Sequence, residues 1–174
     1  MISIPNDLVF HRLQSRDELT EWIDVVRRSF QTVADDFGLT PATAPTNAAF
    51  IELPYFAAML DKDIELYGVK SGAEKIGFVA LEHSSDGLFY MEKLAVLPEH
   101  RHKKFGTRIM DFVFESMRAR GARKISIAII NEHMQLKNWY IRYGFRVTGT
   151  RTFSHLPFNV CYLEKDVLNE QPGG

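Results

Sequence analysis

Residues 94–108 read Leu-Ala-Val-Leu-Pro-Glu-His-Arg-His-Lys-Lys-Phe-Gly-Thr-Arg, so an apolar strand, a proline, a cationic turn and a helix start follow one another without a spacer. Proline cannot donate to a strand ladder, which ends the strand at Leu97. A helix that starts straight after such a turn directs unpaired N–H groups and the positive end of its dipole at one point, the anatomy of an anion cradle. Gly106 lets backbone come close to an incoming phosphate. Between Pro98 and Arg108 stand four Lys or Arg (Arg101, Lys103, Lys104, Arg108) against the single acid Glu99, in a chain whose formal charge is −1. The charge is concentrated locally. A solvated basic turn that only starts a helix has the same residues, and the stretch by itself leaves both readings open.

The flanking pattern places this unit inside a larger sheet. Leu8–Leu13 predicts a short strand, and Ser15 with Glu18 has capping-box spacing, so a helix starts there. Leu19, Trp22, Ile23, Val26 and Phe30 form one apolar stripe on that helix, which is expected to run to about Ser29. Gly38–Pro45 is a breaker-rich loop. A second helical region spans Thr46 to about Leu60, where Pro54 either kinks it or begins a new segment. The period then changes to two. Ile64–Lys70, Lys75–His83 and Leu88–Leu97 predict an antiparallel meander with turns at Ser71-Gly72 and Ser84–Gly87. After the basic turn comes a helix over Thr107–Arg120, with Ile109, Phe112, Val113 and Met117 facing the core and Gly121 as its C-cap. Lys124–Ile130 is a strand, Leu136–Tyr143 a short helix stopped at Gly144, and Phe145–Thr150 and Val160–Lys165 are the last strands. The resulting order, βααβββαβαββ, implies an α/β fold built on a mixed sheet.

Length and composition narrow the function. A chain of 174 residues, 45% of them hydrophobic, sustains a core without disulfides or a structural metal. The single Cys161 excludes an internal disulfide and a cysteine-rich zinc site, and fits a reducing compartment, so the expected location is cytoplasmic. Met1–Asp7 lack the basic start and apolar run of a secretory signal, and no stretch approaches a membrane span. The six His residues form no helical ligand pair, so no metal is expected. A nucleic-acid partner is not expected either, because one short basic cluster stands without an aromatic platform. The expected organisation is one domain over residues 1–170 followed by a flexible tail at 171–174, acting as a monomer or homodimer.

Val96, Pro98, Arg101 and Gly106 match the Val-x-Pro-x-x-Arg-x-x-Gly-x-Gly/Ala signature of the GNAT superfamily of acetyl-CoA-dependent N-acetyltransferases, with Lys104 in place of the first glycine. Downstream, Leu136–Phe145 resembles the family's Leu-Tyr-x-x-x-Gly-Phe segment, one strand beyond the basic turn, as in the family. The resemblance implies the GNAT-like acyl-CoA N-acyltransferase fold and acetyl-CoA as co-substrate. It also implies that Arg101, His102, Lys103, Lys104, Phe105, Gly106 and Thr107 hold the coenzyme pyrophosphate and that Leu94, Ala95 and Val96 pair with the pantetheine arm. His133 occupies the place of a coenzyme-contacting Asn, so Asn131, His133 and Lys137 are the implied contacts there. A Lys at the first glycine position is expected to keep a helical φ, since a β-carbon disfavours φ > 0.

Acyl transfer to an amine requires deprotonation, because an amine of pKa ~10.4 is only about 0.04% neutral at pH 7, a handicap of roughly 4.6 kcal/mol. The departing thiolate gains from a donor nearby. The resemblance places Tyr140 beside the coenzyme sulfur as that acid; otherwise it is a tyrosine at the core edge, and Tyr143 is the reserve. Glu92 is the candidate base. By two-residue alternation it shares a face with Leu88, Tyr90, Leu94 and Val96, where a carboxylate needs either a cleft or a salt-bridge partner. The acceptor, a small-molecule or peptide amine, is not specified; Phe50–Phe56 and Leu156–Phe158 are candidates to wall its site. The competing function is an acyl-CoA-binding regulatory module that has lost catalysis.

Overall fold

The computed structural model describes residues 7–167, and the expected tail at 171–174 lies outside them. The elements are β1 (Leu8–Leu13), α1 (Arg16–Asp36), a 3₁₀ turn (Ala48–Phe50), α2 (Leu53–Asp61), β2 (Glu65–Ser71), β3 (Glu74–Ser85) and β4 (Leu88–Val96). A second 3₁₀ turn (Pro98–His100), α3 (Phe105–Ala119), β5 (Lys124–Ile130), α4 (Met134–Tyr143), β6 (Arg146–Thr152) and β7 (Asn159–Asp166) complete them. This is the order the pattern predicts. The strands run β1-β2-β3-β4-β5-β7-β6 in one mixed sheet. β4 and β5 pair in parallel, Leu88 with Lys124 through Tyr90 with Ser126, and a parallel pair demands a crossover, which α3 supplies.

The described residues divide into two compact units, one made of residues up to Leu81 with Lys93–Gly106, the other of Glu82–Glu92 with those from Thr107 onward. In the first unit, β1 and β3 flank β2 antiparallel. The capping box forms as predicted: Glu18 N–H donates to Ser15 Oγ at 3.3 Å, and the Glu18 carboxylate accepts from the amides of Gln14 (2.8 Å) and Ser15 (3.0 Å). Leu19, Trp22, Ile23 and Val26 are buried against Phe56, Leu66 and Phe78, with Phe30 packed on the cluster's margin. Helix α1 continues past the expected Ser29 to Asp36. Ala34 stays buried on the same face, and the chain leaves the helix only at Gly38, whose φ of 61° suits a residue without a β-carbon. Pro54 starts α2 rather than kinking a longer helix, in the first turn, where a missing N–H costs nothing.

In the second unit, α3 packs Ile109, Met110, Val113, Phe114 and Met117 inward. Phe114, not the expected Phe112, is the buried ring; it meets Phe145 edge-on at 5.9 Å under the Lys165 ammonium at 5.2 Å. β5 lies against β7, with Ile125 and Leu163 fully buried and Ile129 opposite Cys161, also fully buried. Cys161 is a small apolar filler, and burial pushes its thiol pKa up.

Candidate active site

The cationic turn has an unusual backbone. His102 and Lys104 both lie in the left-handed region, at φ 62° and 63°. The expectation of a helical φ at Lys104 is therefore wrong. A β-carbon makes this conformation costly, about 1 kcal/mol or more for each residue, and it persists only where the surroundings enforce it. Arg101 is extended, at φ −72° and ψ 163°, so the left-handed turn begins at His102. Among the described residues, the amides of His102, Lys103, Lys104, Phe105, Gly106 and Thr107 donate to no carbonyl or side chain. Helix geometry explains the last three, which occupy the first turn of α3. His102, Lys103 and Lys104 are exposed, and Phe105, Gly106 and Thr107 are half-buried.

Arg101 behaves differently from its neighbours. Its Nε donates to the Val96 carbonyl (3.0 Å), one terminal nitrogen to Thr32 Oγ1 (2.9 Å) and the other to the Ser29 carbonyl (2.7 Å). Its own amide donates to Pro98. Burial lowers the guanidinium pKa, while Asp36 and Glu99 act to raise it. The sequence did not reveal Ser29 and Thr32 as partners; the available signal was Ser29, a polar residue on the buried side of α1 at 4% exposure. Arg28 binds Glu99 at 2.8 Å beside them.

Strand β4 carries one left-handed residue just after Glu92. Lys93 has φ 51°, a bulge that breaks the run after Glu92. Ala95 and Leu97 enter the core of the first unit with Phe78 and Leu66. Before the break, Phe89 packs on His83 at 4.8 Å, beneath Arg120. Glu92 is half-buried at the end of this segment, and Leu94 and Val96 belong to the segment beyond. The bulge also lays the Lys93 ammonium 5.9 Å over the ring of Tyr55.

On α4, Tyr140 is 5% exposed and packs between Trp139 (4.9 Å) and Phe145 (5.4 Å). Burial raises its phenol pKa well above the ordinary value, so the oxygen holds its proton at neutral pH. Its hydroxyl has no hydrogen-bond partner among the described residues. None of their buried side-chain oxygens or nitrogens goes unsatisfied, so this oxygen keeps some surface of its own. Trp139 is only partly buried. At the start of the helix, His133 caps α4 by accepting the Leu136 amide at Nδ1 (3.3 Å). Lys137 Nζ binds Asn131 Oδ1 at 2.5 Å, which brings two of the three implied coenzyme contacts together.

A cavity of about 370 Å³ opens in the first unit, lined by Pro41, Pro45, Thr46, Phe50, Ile51, Glu52 and Tyr55. It uses four of the seven residues of the expected segment Phe50–Phe56. Leu156–Phe158 lie between β7 and the turn that the Leu156 amide closes on the Phe153 carbonyl. Among the described residues no group of His, Cys, Asp or Glu is placed to hold a metal ion, and no helix is long and apolar enough to cross a membrane.

Residues 62–147 match the family model described as the acetyltransferase (GNAT) domain. No curated protein matches the chain. Among solved structures, the PaiA N-acetyltransferase of Thermoplasma acidophilum in complex with coenzyme A superposes with a TM-score of 0.73 at 18% identity, covering 92% of this chain and 99% of that one. The ribosomal-protein-S18-alanine N-acetyltransferase of Escherichia coli gives 0.68 at 10% identity, over 92% and 94%. A Bacillus subtilis acetyltransferase in complex with CoA gives 0.64 at 17% identity, over 92% and 99%. At these identities the likeness is one of fold.

Proposed function

A chain whose residues 62–147 form a GNAT acetyltransferase domain belongs to that family of enzymes, and we propose that this one moves an acetyl group from acetyl-CoA to a primary amine by direct attack. The observation that carries the reading is the run of six undonated amides from His102 to Thr107 at the start of α3. Such a run fits a pyrophosphate, which offers several acceptor oxygens and two or more negative charges to N–H groups that no protein acceptor occupies. Lys103 and Lys104 add exposed cations beside it. The thioester arm is assigned to the edge of Leu94–Val96, with Asn131, His133 and Lys137 as further contacts.

In the reaction the amine nitrogen bonds to the thioester carbonyl carbon, the C–S bond breaks, and the amine loses one proton while the coenzyme sulfur gains one. Glu92, alone or through water, is assigned the first proton. Tyr140, protonated at rest because its ring is buried, is assigned as the general acid: it passes its hydroxyl proton to the departing sulfur and is reprotonated from solvent once the products leave. No Ser or Cys nucleophile is required, and Cys161 is sealed in the core. The acceptor is assigned to the cavity beside Phe50, Glu52 and Tyr55, whose prolines and rings suit an apolar body and whose single carboxylate suits an ammonium.

The test is titration with acetyl-CoA followed by thiol release on a panel of amines. Saturable binding with thiol release on at least one amine is expected. Absence of acetyl-CoA binding at high micromolar concentration overturns the function; binding without release on any amine reassigns the chain as a coenzyme-binding module.

A further inference from the structure

We propose that Arg101 is a positioning residue for the coenzyme: its guanidinium, turned onto helix α1, holds the cationic turn in its strained, anion-receptive shape before any ligand arrives. The proposal rests on coenzyme binding at this turn. A cation at the first position of a phosphate-binding turn is the obvious candidate to meet phosphate directly. Here all three nitrogens of the guanidinium are committed elsewhere, to Val96 at the end of β4 and to Thr32 and Ser29 on α1.

The acceptors form a closed set. Thr32 Oγ1 takes a hydrogen from Arg101 and passes its own to the Ser29 carbonyl at 3.3 Å, the oxygen that the other terminal nitrogen also reaches. One planar group therefore fixes the strand end and two successive turns of helix to the first residue of the loop. The two left-handed residues come immediately after it, His102 next and Lys104 two further on. Neither is glycine, neither shows a side-chain hydrogen bond among the described residues, and both side chains are exposed, so their own side chains do not hold the conformation. The loop is held from its first residue. The Arg28–Glu99 pair at 2.8 Å adds a weaker, exposed tie from the same helix to the preceding 3₁₀ turn.

A lysine keeps the charge of Arg101 but has one compact head that cannot span three acceptors, so Arg101→Lys and Arg101→Gln separate geometry from charge. We expect both variants to weaken coenzyme A binding by about tenfold or more, with kcat at saturating coenzyme little changed. The fall of affinity with added salt should match that of the wild type, since no phosphate contact has been lost. Thr32→Val, on α1, removes one acceptor and should weaken binding in the same direction by about threefold. In the unliganded protein, exchange of the Arg101 amide, which donates to the Pro98 carbonyl, should quicken in all three variants.

Wild-type protein that does not bind coenzyme A overturns the function and the proposal together. Wild-type binding with Arg101→Lys equally tight overturns the proposal alone. So does a pattern in which Lys restores affinity while Gln loses both affinity and salt sensitivity, because that is the signature of a direct phosphate contact. Should the Arg101 variants fail to fold, Thr32→Val carries the test, and unchanged affinity together with unchanged exchange then overturns it.

Discussion

The Tyr143 hydroxyl donates to the Asp111 carboxylate at 2.7 Å, bridging the last turn of α4 to α3. Three residues earlier on the same helix, the Tyr140 hydroxyl has no partner among the described residues. Of the two tyrosines the sequence offers as proton donor, the structure leaves only Tyr140 with an uncommitted O–H. Replacing Tyr140 with Phe keeps the ring that packs on Phe145 and removes only the oxygen. Turnover should fall at least tenfold, within the usual range for losing general acid help, while the coenzyme dissociation constant stays within about twofold. Steady-state kinetics with a parallel binding titration decide it, and equal turnover would move the acid elsewhere.

Gly106 stands in the first turn of α3, among the undonated amides. Aspartate there places a negative charge near a helix N-terminus, which favours the helix by about 0.3–1 kcal/mol, yet it faces the same amides that a phosphate would use. Gly106→Asp should therefore leave the melting temperature of the free protein unchanged or slightly raised and weaken coenzyme A binding more than tenfold. Calorimetric titration and a thermal melt on one preparation separate the two effects. A loss of binding that comes with a large fall in melting temperature would contradict this account.

The order of elements was legible because it depends on local pattern: the stripe Leu19–Val26, the Ser15–Glu18 box and the apolar and aromatic runs of β2 and β3, bounded by turn residues, each encode their element within a few residues. The left-handed Lys104 was not legible, since local preference argues against it and the force that overrides it comes from Ser29 and Thr32, about seventy positions away in sequence. The end of α1 was misjudged for the same reason. Its last turns carry polar residues such as Thr32 that bond the loop rather than fill the core, so the apolar stripe fades before the helix does. At Glu92, alternation alone could not foresee the bulge at Lys93 that divides β4.

A β-carbon built on Gly68 would stand inside the indole of Trp22, within 2.6 Å of three of its ring atoms. Strand β2 thus lets α1 approach closely at the one place where the largest buried side chain of the first unit lies flat on the sheet. Both residues are buried. Gly68→Ala should cost about 2–3 kcal/mol, the upper range for overpacking, and lower the melting temperature by roughly 5–10 °C for a chain of this size. Differential scanning calorimetry checks it, and a melting temperature unchanged from wild type would mean that the indole can move aside.

The Glu18 carboxylate, accepting from the Gln14 and Ser15 amides and paired with His11 at 2.7 Å, has its pKa lowered from 4.5 to about 2, with the Gln14 amide the largest cause. A folded-state pKa below the unfolded one means that the unfolded chain takes up the proton first. The stabilisation is therefore fully present above pH 4.5 and disappears as the pH falls towards 2. Glu18→Gln keeps a side-chain carbonyl for one cap hydrogen bond and removes the charge. The wild type should melt above this variant by about 2–4 °C at neutral pH, matching the roughly 1 kcal/mol of a helix cap, and the gap should close between pH 4.5 and 2. Melts across that range test the sign directly: a gap that widens on acidification would show that the carboxylate is not held in its charged form by the start of α1.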